Sequence, residues 1–280
     1  MQKRNLDLVV ISDLHLGTIG CHADELNRYL DSINPGAIIL NGDILDMWHF
    51  KKYYWPESHM TVIKKLMGFL SAGVPVYYLT GNHDEMLRKF SDLQLGSFQL
   101  RDKLLLNLND EQAWIFHGDV FDITMRHSKW LARLGGIGYN SLILLNRFIN
   151  FISEKGGRGK ISFSKRIKES VKSAIKYIDN FEQTAIELAA EKGYHYVICG
   201  HIHQPVIKKC ECKGKQVTYL NSGDWIENLT ALEYNNGKWK LYRYFDDPIM
   251  QNSYSYIPES VSDGSLAIDM DENIAETIGL

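Results

Sequence analysis

The stretch VICGHIHQP (residues 197–205) is a short apolar run, a glycine, and then two histidines one residue apart, His201 and His203. An apolar, β-branched run bounded by a turn signal reads as a buried strand, so two imidazoles arrive at a strand exit. Working outward, four earlier runs end in the same chemistry. LDLVVIS (6–12) leads into SDLHLG (12–17), with Asp13 and His15. GAIILNG (36–42) leads into NGDILD (41–46), with Asp43 and Asp46. VPVYYLTG (74–81) leads into TGNHDEM (80–86), with Asn82, His83 and Asp84. AWIFHG (113–118) leads into FHGDVFD (116–122), with His117, Asp119 and Asp122. Open α/β sheets place their sites at such strand ends.

Taken singly, each motif is an ordinary turn, since Asp, Asn and Gly all favour turns. Together they would bury carboxylates and imidazoles side by side, at several kcal/mol per unpaired charge. A divalent cation removes that cost, so the pattern predicts a metal site. Mixed imidazole, carboxylate and amide donors suit manganese, iron or zinc better than calcium and do not choose among those three; manganese is expected first, with iron or zinc as the alternatives.

The rest of the chain sets the frame. HADELNRYLDSI (22–33) and SHMTVIKKLMGFLSAG (58–73) carry helical periodicity, the second closing on Gly73 and Pro75. Strands interleaved with helices predict sheets covered by helices. From about Arg126 to Lys192 the patterns are helical only, broken by EKGGRGK (154–160). Strands then return as PVIKKCECKGKQVTYLNSG (205–223) and LTALEYNNGKWKLYRYF (229–245), each with a hairpin turn signal. This organisation predicts one domain over 1–246, with a helical cap inserted at about 126–192. Residues 247–280 contain no Lys or Arg and read as a flexible acidic tail. A net charge of −3 excludes a globally basic nucleic-acid binder. The four cysteines read as reduced thiols, and neither a signal peptide nor a membrane-spanning run is legible. The expected location is the cytoplasm.

The motifs DLH, GDILD, GNHD, HGD and GHIH, in this order over roughly residues 6–225, resemble the motif set of the calcineurin-like metallophosphoesterases. The resemblance implies an α+β fold layered α/β/β/α, a β-sandwich flanked by helices, with two divalent metal ions held between the sheets. Carried over position by position, Asp13, His15, Asp43 and His203 would hold one ion. Asp43, Asn82, His117 and His201 would hold the other, with Asp43 bridging. Two such cations about 4 Å apart can lower the pKa of a bridging water and clamp a phosphoryl oxygen. By the same resemblance His83 is a catalytic proton donor to the leaving group rather than a ligand, and Asp46 orients it. Asp84 and Asp119 are candidates for outer carboxylates that steer ligands.

The insertion suggests the substrate. Apolar residues such as Trp130, Leu134, Leu142, Phe148 and Phe151 interleave with Arg126, Lys129, Arg133 and Arg147, and a basic run follows. Much of this is helix packing and solvated charge. It also suits a lipid with an anionic head group, or peripheral contact with an acidic inner-membrane surface. A helical insertion at this point is similar to that of the UDP-2,3-diacylglucosamine pyrophosphatases of lipid A synthesis, which release UMP and 2,3-diacylglucosamine 1-phosphate. Those proteins usually have arginine where this chain has His83, and often glutamate where it has Asp46. Arg158, Lys160, Lys165 and Arg166 are the candidate head-group contacts. The alternatives are a phosphodiesterase or phosphatase of another nucleotide-lipid or small phosphoester, a nuclease, and a non-catalytic scaffold. Intact motif positions argue against the scaffold, and the apolar insertion argues against nucleic acid.

Overall fold

The computed structural model describes residues 3–49, 54–124 and 163–254. Two sheets form its centre. The first runs in the order β14 (Lys238–Arg243), β13 (Thr230–Asn235), β2 (Leu8–Ile11), β4 (Ile38–Asn41), β5 (Val76–Leu79), β7 (Phe98–Arg101) and β6 (Gln94–Leu95). Its middle strands β2, β4, β5 and β7 are parallel, in a register that aligns Val10 with Ile39 and Ile39 with Tyr77. The second sheet runs β11 (Val206–Cys212), β12 (Lys215–Asn221), β10 (Tyr196–Cys199), β9 (Glu111–Phe116) and β8 (Lys103–Leu108). There β10 is parallel to both β9 and β12. A small parallel pair, β1 (Arg4–Leu6) with β3 (Ile33–Pro35), lies apart.

Side-chain alternation sets the layers. Successive residues of a strand point to opposite faces, and here both faces are covered, so the strands read as unbroken apolar runs. Leu8, Val10, Ile39 and Leu79 of the first sheet join Ala113, Ile115, Ile198 and Leu220 of the second in one buried cluster between the sheets. Val9, Ile11, Ile38, Leu40 and Val76 face outward to α1 (Ala23–Asp31) and α2 (Glu57–Ser71), meeting Leu26, Tyr29, Leu30, Val62 and Leu66. Val197, Cys199, Val217 and Tyr219 face the other way, onto Phe181, Ala185, Ile186, Ala189 and Ala190 of a long helix. With the five-residue α3 (Val120–Thr124) preceding it, that helix is α4 (Phe163–Lys192). The layers are therefore α/β/β/α, as expected.

Three features differ from the sequence reading. Strands β6, β7 and β8 fall within 94–108, which carried no strand assignment. β6 is two residues long, and β8 is a sheet-edge strand with Leu105 exposed, so neither shows a buried run. The final part of the segment assigned to the cap is the outer helical layer of the sandwich, because the apolar stripe of α4 from Phe181 to Ala190 packs on the second sheet. The remainder of that cap, with its apolar residues and Arg158 and Lys160, lies outside the described residues, as do the side chains of Lys165 and Arg166. Beyond Asp246 the chain stays docked through α5 (Pro248–Tyr254). Asp247 accepts from Arg4 at 3.3 Å, and Met250 is buried in the cluster beneath α1. Residues 255–280 of the expected tail lie outside the described residues.

Candidate metal centre

Parallel strands end together. The loops after β2, β4 and β5 therefore emerge side by side from the first sheet, and those after β9 and β10 from the second. Each loop is cross-linked to its neighbour through the backbone. Asp13 N donates to Gly42 O at 3.0 Å, His15 N to Asp43 O at 3.0 Å and Gly200 N to His117 O at 2.9 Å. Side chains stitch the same loops, with His83 N donating to Asp43 Oδ1 at 2.8 Å and His201 N to Asp13 Oδ2 at 3.1 Å.

These loops are strained where the chemistry lies. Asp13, His15, Asp43, His201 and His203 all have left-handed backbone, with φ of 53°, 49°, 55°, 67° and 51°. For a residue with a Cβ this costs about 1–3 kcal/mol, and it persists only where packing enforces it. Two glycines admit the crowding. A Cβ on Gly200 would lie 2.6 Å from Asp13 Oδ2, and one on Gly81 would lie 2.6 Å from the Asp43 amide.

The strained turns converge polar side chains into four overlapping groups of close-set ligand atoms: Asp13, His15 and His203; Asp43, His117 and His201; His15, Asp43 and His83; and Asp46, His49 and His83. Asp13, His15, Asp43 and His117 are buried. His203 Nε2 is 3.1 Å from Asp13 Oδ1, and His117 Nε2 is 3.2 Å from Asp43 Oδ2. Burial resists charge here, but Asp43 and Asp13 push the pKa of His117 well up, and Asp13 raises that of His203 to about 9. Burial likewise opposes ionisation of Asp13 and Asp43, yet the imidazoles hold both below the usual carboxylate range.

Whether the groups fit metal ions is decided by the unpartnered atoms. His117 Nδ1 lies 2.8 Å from the Asn41 carbonyl, which only accepts, so its proton sits on Nδ1 and a lone pair on Nε2. His15 Nδ1 is 3.1 Å from Asp46 Oδ2, leaving its Nε2 in the same state. Both Nε2 atoms are buried and, among the described residues, have no hydrogen-bond partner, and the same holds for Asn82 Oδ1. Buried acceptors left unpaired are expensive, and a shared cation satisfies them. The residues fit divalent ions.

Asp46 is the hub beside this cluster. It accepts from His15 Nδ1, from His49 N at 2.8 Å and from Trp48 N at 3.1 Å. Its Oδ2 is also 3.0 Å from His83 Nδ1, close enough for charge pairing but not aligned as a hydrogen bond. Burial opposes its ionisation, and these contacts nonetheless pull Asp46 far below the carboxylate range. Burial lowers the pKa of His83, but Asp46 and Asp43 outweigh it and raise it. The His83 ring meets His15 edge-on at 4.6 Å and lies against the Trp48 indole at 4.4 Å.

The structure thus brings together Asp13, His15, Asp43, Asp46, Asn82, His83, His117, His201 and His203. Asp84 and Asp119 do other work. Asp84 accepts from Gly81 N, Ile44 N and Tyr78 OH and so braces two of the loops, while Asp119 accepts from Arg88 at 2.6 Å. Sequence reasoning missed Trp48, His49, Tyr177 and Asp224. Asp224 is fully buried, caps the turn at Ile226–Asn228 and sits 3.9 Å from His203 Nδ1. Its signal was the Gly-Asp pair in NSGDW (221–225), the same dipeptide as at Asp43.

The family model for calcineurin-like phosphoesterase matches residues 6–205. A UDP-2,3-diacylglucosamine hydrolase of Aliivibrio fischeri (strain MJ11) is 24% identical over 253 residues, covering 85% of this chain and 98% of that protein. A protein of the same name from Proteus mirabilis (strain HI4320) is 26% identical over 249 residues, covering 84% and 97%. Among solved structures, a phosphoesterase from E. coli aligns at 12% identity with a TM-score of 0.44, covering 85% of this chain and 93% of that one.

Proposed function

This chain belongs to the calcineurin-like phosphoesterase family, and from that premise we propose that it cleaves the pyrophosphate of a nucleotide-lipid, UDP-2,3-diacylglucosamine, to UMP and 2,3-diacylglucosamine 1-phosphate. The observation that carries the hydrolytic part is the trio of buried, unpartnered acceptors, His15 Nε2, His117 Nε2 and Asn82 Oδ1. Support for the substrate comes from relatives of that name, at about a quarter identity over nearly their whole length.

In this reading Asp13, His15, Asp43 and His203 hold one divalent ion, and Asp43, Asn82, His117 and His201 hold the second. The groups Asp13, His15, His203 and Asp43, His117, His201 support that division, and the group His15, Asp43, His83 supports a bridging Asp43 while bringing His83 within the same reach. When bound, such ions supply Lewis-acid polarisation of a phosphoryl oxygen and activation of water. The remaining work belongs to side chains. His83 donates a proton toward the leaving oxygen, and Asp46 and Asp43 raise its pKa against the effect of burial. Asp46 keeps that imidazole turned and charged from 3.0 Å, and Trp48 covers one of its faces. Asp46 also fixes the proton of His15 on Nδ1, so one carboxylate serves a ligand and the proton donor together.

The test is a product assay with manganese present and chelator as control. UDP-2,3-diacylglucosamine is compared with its deacylated UDP-sugar and with an aryl phosphodiester. UMP released from the acylated substrate alone is the expected result. Cleavage of the aryl ester with the acylated substrate untouched would keep the hydrolase and remove the lipid.

A further inference from the structure

His201 is gripped from outside the cluster. Its Nε2 lies 3.1 Å from Asp122 Oδ2, on the short helix α3. The other oxygen of that carboxylate accepts from Tyr177 OH at 2.5 Å, and Tyr177 stands on α4. The same hydroxyl is 3.4 Å from His201 Nε2. One turn along α4, Phe181 is fully buried, its ring 6.1 Å from that of His201 and 5.3 Å from that of Phe121.

The contacts above fit the following arrangement of protons. A carboxylate only accepts, so Tyr177 gives its proton to Asp122 Oδ1, and the contact to Oδ2 requires a proton on His201 Nε2. That leaves the His201 lone pair on Nδ1. The ring then offers a single acceptor, and one ring nitrogen of His201 lies within 4.8 Å of ligand atoms of Asp43 and His117.

We propose that Asp122 and Tyr177 are positioning residues for the second metal ion: they hold His201 in the tautomer and orientation that turn Nδ1 to the ion. The inference rests on the dinuclear reading above and adds two residues to it. It also gives α4 a second role. The helix that covers the second sheet supplies, from Tyr177, the hydroxyl that braces a ligand on the loop after β10. Partners of this kind, acting behind a metal-bound histidine, change metal affinity about 10- to 100-fold when removed.

The test is a manganese titration of metal-free protein by calorimetry, with electron paramagnetic resonance to separate a coupled pair of ions from single ones. The parent should take up two ions. Asp122→Ala should weaken the second binding step about 10- to 100-fold, leave the first within about twofold, and replace the coupled-pair signal at two equivalents with that of single ions. Asp122→Asn, which keeps an acceptor oxygen, should recover part of the loss. Tyr177→Phe removes only the hydroxyl and should weaken the second step in the same direction, so it decides the matter if Asp122→Ala does not fold. Two ions bound by these variants with the parent's constants would overturn the inference while leaving the dinuclear reading intact. A parent that binds fewer than two ions would overturn both.

Discussion

His117 Nε2 and Asp43 Oδ2 face each other across 3.2 Å while the Nδ1 proton of His117 is committed to the Asn41 carbonyl. Two acceptors at that distance require a cation between them. Asp43 and Asp13 accordingly push the pKa of His117 well up against the effect of burial. A divalent ion held by both side chains would meet the same need. The folded protein should therefore bind manganese and the unfolded chain should not. At a concentration 100-fold above the dissociation constant, stability should rise by about 2.7 kcal/mol per site. Thermal melts of metal-free protein with and without manganese measure this, and an unchanged midpoint would contradict it.

His83 and Asp46 should fail differently. His83→Ala removes a proton donor and leaves the ligands in place, so turnover should fall about 10²- to 10⁴-fold with both ions retained. Asp46→Ala should lose rate and also metal, because Asp46 braces His15 as well as facing His83. Steady-state kinetics beside metal analysis of the purified variants separates the two. Full metal retention in Asp46→Ala would show that its contact with His15 is dispensable.

Gly200 is a steric prediction. An added Cβ meets Asp13 Oδ2 and Ser12 Oγ, both at 2.6 Å, inside a packed turn. Gly200→Ala should destabilise the protein by about 1–3 kcal/mol and displace Asp13 enough to lower metal affinity. Chemical denaturation and a manganese titration of the variant measure both effects. Parent-like values in both would mean that the loop after β10 yields more than its backbone bonds suggest.

His59 gives a pH dependence away from the ligands. It is buried on α2, and its Nδ1 accepts the Gly17 amide at 3.0 Å, which requires that nitrogen unprotonated. Burial lowers its pKa, with Asp24 opposing weakly. Because the folded value lies below the unfolded value of about 6.5, the contribution is whole above that pH. It is lost as the pH falls from there through the folded pKa, at up to about 1.4 kcal/mol per unit. Denaturation midpoints in chelator at pH 7.5 and 5 should fall less in His59→Gln than in the parent. Equal slopes would exclude His59 as the source.

Much of this was legible in the sequence, for a physical reason. A strand buried on both faces must be apolar throughout, so Val9, Val10 and Ile11 announce β2, and the change to Asp13 and His15 marks its exit. The same break marks β4, β5, β9 and β10, which is why the polar residues at the strand exits could be read in order. Edge strands give no such signal, so β8 was missed. Contacts made across the fold are also silent. Nothing near Tyr177 in the sequence records that it would meet Asp122, because that meeting depends on how α4 lies on the second sheet. Asp46 was read as a partner for His83 alone, whereas its contact with His15 spans 31 residues and exists only once both loops are folded.

The central claim is that hydrolysis depends on metal ions held at this cluster, and Asp43 is the residue proposed to bridge them. The most direct measurement is turnover of an aryl phosphodiester by the parent and by Asp43→Ala, each stripped with chelator and reloaded with manganese. The account predicts chelator-sensitive turnover restored by manganese in the parent, and no detectable turnover in Asp43→Ala at any manganese concentration. Near-normal turnover in Asp43→Ala would contradict it.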